Sequence, residues 1–498
     1  MKSFPSTNPP LVYGGLDIGT TGAKINVFSD TQFLLSIYES YPSRREKDAH
    51  TIKVEDILGV TIKLIKKALQ NAPTLSALGI TAFGEAFVLL DENDEPIFPT
   101  YLYTDQRGDE EVSELTRLIS KQRVGEITGQ YPHKMFSLAK LMYFKKHHPK
   151  QFIKANKFCL IADYIVYKLT GKRQVDYSSA TRSQIFDITS LKWSNEILHK
   201  LEISEQLFPQ PVPVGTSAGY ILEEVINCSA KQIEIFSISH DQIAAAIGAH
   251  GLEEGVISDG LGTCECLTPL MRNVDDKQLF IDHGYGLIPF LEAKQYASYG
   301  LINTGGALVE WVINNYFSYE LANRRQLYDY LNDFNLEFPQ QAMVLPHFAG
   351  AATPYMDGDA LGAIVNLSLG STRFDVYQAT LESLSYEAKI ILDELLTKGI
   401  KVNKIYASGG GSNNDKWLQI KANVFNLPVT RLKHSDAGAV GSAMIIGYQK
   451  GIFSSLSEAA DILNPPVKTF EPDPKLVSRY QNQFKKYQLL YEALKEVK

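Results

Sequence analysis

Asp17 stands two residues ahead of Gly19-Thr20-Thr21 in the stretch GGLDIGTTGAKINVFSD, Gly14 to Asp30. Leu16 and Ile18 before the turn, and Ile25 and Val27 after it, alternate as strand residues do. The small residues between them suit a tight hairpin turn. Such a turn presents backbone N–H groups and hydroxyls, which suit phosphate oxygens. A carboxylate beside them suits a phosphate-bound Mg2+. The design returns in GVISDGLGTCECLTPLM, Gly255 to Met271, with Gly262-Thr263 at its turn. Gly-Thr turns are common, and chance is one account of the pair. A duplicated strand–turn–strand at the head of each of two related domains is the more informative account. It expects the two turns to face each other across a cleft.

Three further stretches carry chemistry. In SISHDQIAAAIGA, Asp241 follows the apolar run IEIFSIS and precedes a helix-like run. Asp at that junction can serve as an N-cap, and equally as a general base for an attacking hydroxyl. His240 beside it points the other way if it is still on the strand. In KIYASGGGSNNDKWLQI, three glycines (Gly409, Gly410 and Gly411) close a strand ahead of a helix, which lets a flat ligand approach the backbone. The chain has no GxxxxGK[ST], and this turn lacks GxGxxG spacing, so P-loop and dinucleotide-fold readings are disfavoured. In GITAFGEAFVLLDENDEPIFPTYLYTDQRGDEE, Glu85, Asp105 and Arg107 fall on loops beside strands. They could bind a polyhydroxylated ligand, or form a solvated Asp–Arg pair.

The elements that must hold these residues alternate strand with helix. Strand-like LVYGGLDIG, AKINVF, ALGITAF, AFVLLD and EIFSIS are partly separated by helix-like VEDILGVTIKLIKKALQ. In that helix Ile57, Val60, Leu64 and Ala68 form one apolar face. The class is α/β. With 498 residues the chain has room for two domains. We expect a flexible tail over 1–12, an N-terminal domain over 13–250 and a C-terminal domain over 251–498. The cut falls in the turn-rich GAHGLEEG, and the terminal run YQNQFKKYQLLYEALKEV reads as an amphipathic helix packing on the second domain. A net charge of −7 implies no domain-wide basic surface and argues against nucleic acid. The four cysteines, Cys159, Cys228, Cys264 and Cys266, include no CxxC pair and read as reduced thiols of a cytoplasmic protein. No signal peptide or membrane span is visible.

In this order the motifs resemble those of the FGGY family of carbohydrate kinases, xylulokinase-like members included, within the actin–hexokinase–Hsp70 ATPase superfamily. The likeness runs from about Leu11 to about Leu456 and includes IADYIVYKLTGKRQVDYSSATRSQIFDI and LPHFAGAATPYMDGDALGAIVNLSLGSTR. It implies two ribonuclease-H-like (actin-like ATPase) domains with ATP and sugar in the cleft between them. Asp241 falls on the family's catalytic base, and Asp17 on the carboxylate that holds Mg2+ through water. Gly19, Thr20, Thr21 and Lys24 fall on the first phosphate loop, Gly262 and Thr263 on the second. Gly306 and Glu310 match positions lining the nucleotide, and Gly410, Gly411 and Asn414 the adenine and ribose contacts. Phe83 lies in the substrate block. Glu85, Asp105, Asp241 and Gln242 are the candidates for gripping the sugar hydroxyls, with Arg107 orienting Asp105.

The substrate block gives mixed signals. Glycerol kinases carry Arg-Glu where this chain has Gly84-Glu85, so the expectation is an opened space and a longer acceptor. Phe83-Gly84 and Ser-His-Asp are closer to deoxyhexulose kinases such as those for rhamnulose and fuculose. Asp-Gln-Arg and the 161–188 block are closer to xylulokinase. The expected reaction is ATP-dependent phosphorylation of a ketose or polyol, pentulose first, with a deoxyhexulose or a tetritol/erythrulose as alternatives. A non-catalytic actin-like nucleotide-binding protein is the rival of another class. Expected partners are a small-molecule sugar or polyol, with no nucleic acid and no membrane; a homodimer is left open.

Overall fold

The computed structural model describes residues 9–46, 49–226, 232–274, 276–317, 324–333 and 339–497. The chain forms two compact units. One comprises 1–248, 287–295 and 438–463, the other 249–286, 296–437 and 464–498. The units are therefore interleaved, whereas the sequence suggested a single cut near residue 250. The late segment 438–463 belongs with the first unit because the helix Ala437–Gln449 packs on the first sheet: a Cβ at Gly15 would lie 2.0 Å from the Ala439 carbonyl oxygen. The expected tail is shorter at its inner end, since Leu11 N–H donates to Asp30 Oδ1 at 3.0 Å and Val12 opens the first strand.

In the first unit the strands Val12–Ile18, Gly22–Ser29 and Gln32–Ser40 run antiparallel in succession. On the other side of Val12–Ile18, Leu75–Ala82 and then Glu234–His240 run parallel to it, and Thr216–Tyr220 closes the edge antiparallel. Along Val12–Ile18 successive side chains face opposite ways. Leu16 joins a core with Leu64, Ile65 and Ala68 of the helix Val54–Asn71, while Gly15 meets the helix Ala437–Gln449.

The second unit repeats the order. The hairpin Gly255–Leu261/Glu265–Arg272 is antiparallel, with Gly300–Ile302 antiparallel on its outer side. Val402–Ser408 and Val429–Leu432 follow in parallel, and Pro466–Phe470 ends antiparallel. Each Gly-Thr turn thus joins the first two strands of the same sheet pattern. The C-terminal run forms two helices, Pro474–Tyr487 and Leu490–Lys495, where one was expected. Among the described residues no helix is long and apolar enough to cross a membrane. No cluster of three or more His, Cys, Asp or Glu there could hold a metal. Among the described residues Cys159, Cys264 and Cys266 form no disulfide, and Cys228 lies outside them.

Candidate active site

The first turn is closed by Gly19 N–H donating to the Gly22 carbonyl at 2.9 Å. Asp17 and Lys24 face each other across the hairpin. The turn is braced from outside by the Tyr41 hydroxyl, which donates to the Gly19 carbonyl. Lys24 Nζ lies 6.0 Å from the Tyr38 ring centre. Thr21 is exposed at the tip, and Gly19 and Thr20 are half-buried. Gly438 comes so close to Asp17 that a Cβ there would sit 2.4 Å from Oδ2. A glycine at this helix start is what lets the carboxylate keep its place, and nothing in the sequence motif signalled it.

Asp241 is the first residue of the helix Asp241–Gly248, directly after the strand Glu234–His240. Its side chain is 20 % exposed, and His240 Nε2 lies 3.1 Å from its Oδ1. The Gln242 N–H donates to that same oxygen at 2.6 Å. The expectation that His240 points away fails, because the strand ends at His240 and Asp241 already opens the helix. Burial, with the Arg182 charge, drives the His240 imidazole well below its ordinary value. The ring is therefore neutral, and this contact selects the tautomer with the proton on Nε2. Burial, then the negative charges of Asp17 and Glu85, raise the Asp241 carboxyl well above the usual range; the Gln242 N–H and Arg182 oppose them.

Glu85 sits in the left-handed region at φ 63°, a conformation that a bulky residue adopts only when its surroundings enforce it. Its backbone carbonyl accepts the Ser137 hydroxyl at 2.5 Å, and its side chain is held by Arg182, whose Nε–H donates to Glu85 Oε1 at 2.6 Å. Another guanidinium nitrogen of Arg182 donates to Gln130 Oε1 at 3.3 Å, and the Phe136 ring centre lies 5.0 Å from the guanidinium carbon. The open space expected at Gly84 is filled. A Cβ there would meet Arg182 Cγ at 2.7 Å and His240 Cδ2 at 2.8 Å. Phe83 is buried, and its N–H ties the loop to the Ile18 carbonyl at 2.9 Å.

Asp105 is buried and already saturated. Oδ1 accepts the Arg107 N–H at 3.1 Å and Nε–H at 2.8 Å, while Oδ2 accepts the His50 N–H at 2.9 Å and an Arg107 guanidinium proton. A carboxylate has about four acceptor positions, so none remains for a sugar hydroxyl. Burial pushes this carboxyl up, but the Arg107 and His50 hydrogen bonds outweigh it and hold the group below its ordinary value. Arg107 in turn stacks on Tyr101, 3.9 Å from its ring centre. The pair reads as a loop anchor.

In the second unit Gly262, Thr263, Gly306, Glu310, Gly410, Gly411 and Asn414 all line one cavity of about 770 Å³. The Gly306 N–H donates to the Gly262 carbonyl at 2.8 Å and the Ala307 N–H to the Thr263 carbonyl at 3.0 Å, which seats the helix Gly305–Tyr316 on the turn. Gly409, at φ 81°, admits no side chain, since a Cβ would be 2.6 Å from the Leu261 carbonyl oxygen. Asn414 caps the helix Asp415–Phe425: its Oδ1 accepts the Trp417 N–H at 3.0 Å and its Nδ2 donates to the Tyr377 hydroxyl at 3.1 Å. Glu310 accepts the Tyr328 hydroxyl. Tyr328, Asp329, Asn332 and Trp417 also line the cavity and were not foreseen.

Two family models match the chain. The N-terminal domain of the FGGY family of carbohydrate kinases matches residues 12–248, and its C-terminal domain residues 261–449. The chain is similar to a xylulose kinase of Staphylococcus xylosus, with 26 % identity over 96 % of this chain and 99 % of the relative. It is similar to a glycerol kinase of Thermococcus kodakarensis, with 27 % identity over 92 % of each chain. Among solved structures it resembles the ligand-bound xylulose kinase of Lactobacillus acidophilus, with a TM-score of 0.87 at 21 % identity over 97 % of this chain and 98 % of that one. At that identity the likeness establishes the fold.

Proposed function

The chain belongs to the FGGY family of carbohydrate kinases, phosphotransferases that use ATP and an alcohol acceptor, and from this premise we propose that its acceptor is a ketose, a pentulose before all others. The observation that carries the transfer chemistry is Asp241: a carboxylate at a strand–helix junction, one oxygen held by His240 and Gln242, part of its surface open. Its raised proton affinity matches the work of a general base. The acceptor hydroxyl oxygen bonds to the γ-phosphorus as the bond to the β-phosphate oxygen breaks, and ADP leaves. Asp241 takes the hydroxyl proton. Glu85, fixed by Arg182 and Gln130, and Gln242 orient the acceptor hydroxyls. In the first unit Gly19, Thr20, Thr21 and Lys24 offer a turn suited to phosphate oxygens, and in the second unit Gly262 and Thr263 offer another. Gly306, Glu310, Gly410 and Gly411 form walls for the nucleoside.

The residues present fit a divalent cation. Asp17 offers a hard carboxylate oxygen kept in place by Gly438, and the described residues hold no multi-ligand cage. That is the donor set of Mg2+ shared with substrate phosphates. When bound, it would neutralise phosphate charge.

Two of the relatives with high coverage are named xylulose kinase, which supports the pentulose. Others are named glycerol kinase, so the acceptor is the point to test. ADP release should be measured with D-xylulose, other pentuloses, rhamnulose, fuculose, erythrulose, tetritols and glycerol. The highest kcat/KM is expected for a pentulose; a preference for glycerol would overturn the assignment.

A further inference from the structure

Lys421, Asp259 and Glu265 form an ionic cluster with no exposed surface. Lys421 Nζ lies 3.0 Å from Asp259 Oδ2 and 2.5 Å from Glu265 Oε1, and all three side chains are 0 % exposed. Both Asp259 carboxylate oxygens and Glu265 Oε2 have no hydrogen-bond partner. The Lys421 ammonium is otherwise surrounded by rings, 5.6 Å from the centre of Trp417 and 5.1 Å from that of Phe425. Two carboxylates share one ammonium, and burial raises the carboxyls of both Asp259 and Glu265, against the pull of Lys421. Apolar residues of similar volume would be as stable or more so in such a place. Stability alone therefore gives no reason for the cluster.

Its position gives one. Asp259 lies on the strand that enters the Gly262–Thr263 turn, and Glu265 is the first residue of the strand that leaves it. Lys421 lies on the helix Asp415–Phe425, one turn beyond Trp417, and that helix begins at the Asn414 cap. One ammonium thus holds both stems of the turn and the helix that supplies Trp417 and Asn414 to the same cavity. We infer that Asp259, Glu265 and Lys421 are positioning residues that set the Gly262–Thr263 turn at a fixed distance from the Asn414–Trp417 wall, so that one nucleoside polyphosphate spans both. The inference rests on the nucleotide reading of this cavity.

The test uses the full chain carrying Trp193→Phe and Trp311→Phe, which leaves Trp417 as its one tryptophan. ADP binding is followed by Trp417 fluorescence and by calorimetry, alongside Tm and acceptor KM. Lys421→Met is expected to weaken ADP binding about tenfold and to lower Tm, with acceptor KM unchanged. Adding Glu265→Gln removes a stranded charge; Tm should recover while ADP binding stays weak. Asp259→Asn keeps the Glu265–Lys421 pair but releases one stem of the turn, and should weaken ADP binding by less than Lys421→Met does. Recovery of ADP affinity together with Tm in the double variant, or parental affinity in Lys421→Met, would overturn the inference. Failure of the parent to bind ADP would instead remove the nucleotide reading, and the inference with it.

Discussion

His240 Nε2 and Asp241 Oδ1 lie 3.1 Å apart, although the two residues are neighbours in the chain. Adjacent side chains on a strand diverge; these converge because the strand ends between them and Asp241 opens a helix. A neutral N–H donor favours the charged carboxylate, so His240 works against the burial and the Asp17 charge that raise Asp241. The base is active only when ionised, and kcat/KM should fall as pH drops through its raised value. His240→Phe removes the donor and should move that acid limb upward. A pH–rate profile that does not move would take His240 out of this role.

Asp241→Asn should cut kcat by about 10²- to 10⁴-fold, the usual worth of a general base. The fold should survive and gain stability. An acid whose folded value is raised stabilises the fold at low pH and loses that contribution as pH rises, so near neutrality the native Asp241 is a liability that Asn lacks. Thermal melts at pH 7.5 and single-turnover assays measure the two effects together.

Arg182→Met strands the Glu85 carboxylate in a site where both side chains are 6 % exposed. Breaking a buried pair from one side costs about 3–5 kcal/mol. Adding Glu85→Gln should return most of that stability but not acceptor kcat/KM, which should stay down about 100-fold with ATP KM unchanged. Equal recovery of both would make the pair structural only.

Gly438→Ala puts a methyl group 2.4 Å from Asp17 Oδ2 and 2.9 Å from its Cγ. The carboxylate must move, and a displacement near 1 Å can cost about 100-fold in rate. Tm should change little, while the Mg2+ concentration for half-maximal activity should rise. A variant with parental Mg2+ dependence would separate Asp17 from the metal.

Glu382, buried on the helix Arg373–Thr397, accepts the Gln340 N–H at 2.8 Å, Gln378 Nε2–H at 3.0 Å and the Tyr480 hydroxyl at 3.4 Å. Burial pushes its carboxyl up to about 7 from 4.5. Its contribution is complete below pH 4.5, falls as pH rises to 7 and is flat beyond, a change of about 3 kcal/mol. Glu382→Gln should remove that slope. Urea midpoints at pH 5 and pH 8 that differ as much in the variant as in the parent would refute the assignment.

The residues of the two turns, the general-base candidate and the glycine-rich strand end were legible because each is local. A turn, a strand–helix junction and a close backbone approach are each fixed by a few consecutive residues, and seven of the sequence-derived positions line one cavity. The residues alone showed the repeated sheet order as a repeated hairpin, and the family resemblance implied two like domains; the parallel strands that complete each sheet come from far along the chain.

What remained hidden was long-range. Arg182 reaches Glu85 across 97 residues, Lys421 reaches Glu265 across 156, and Gly438 touches Asp17 from a segment that returns to the first unit late. By itself the sequence determined the chemistry each short stretch could offer, because backbone geometry and side-chain type are local properties. Only the tertiary structure decided which carboxylates are saturated, which are paired and which keep an open oxygen, because burial and charge pairing depend on whatever the folded chain brings alongside.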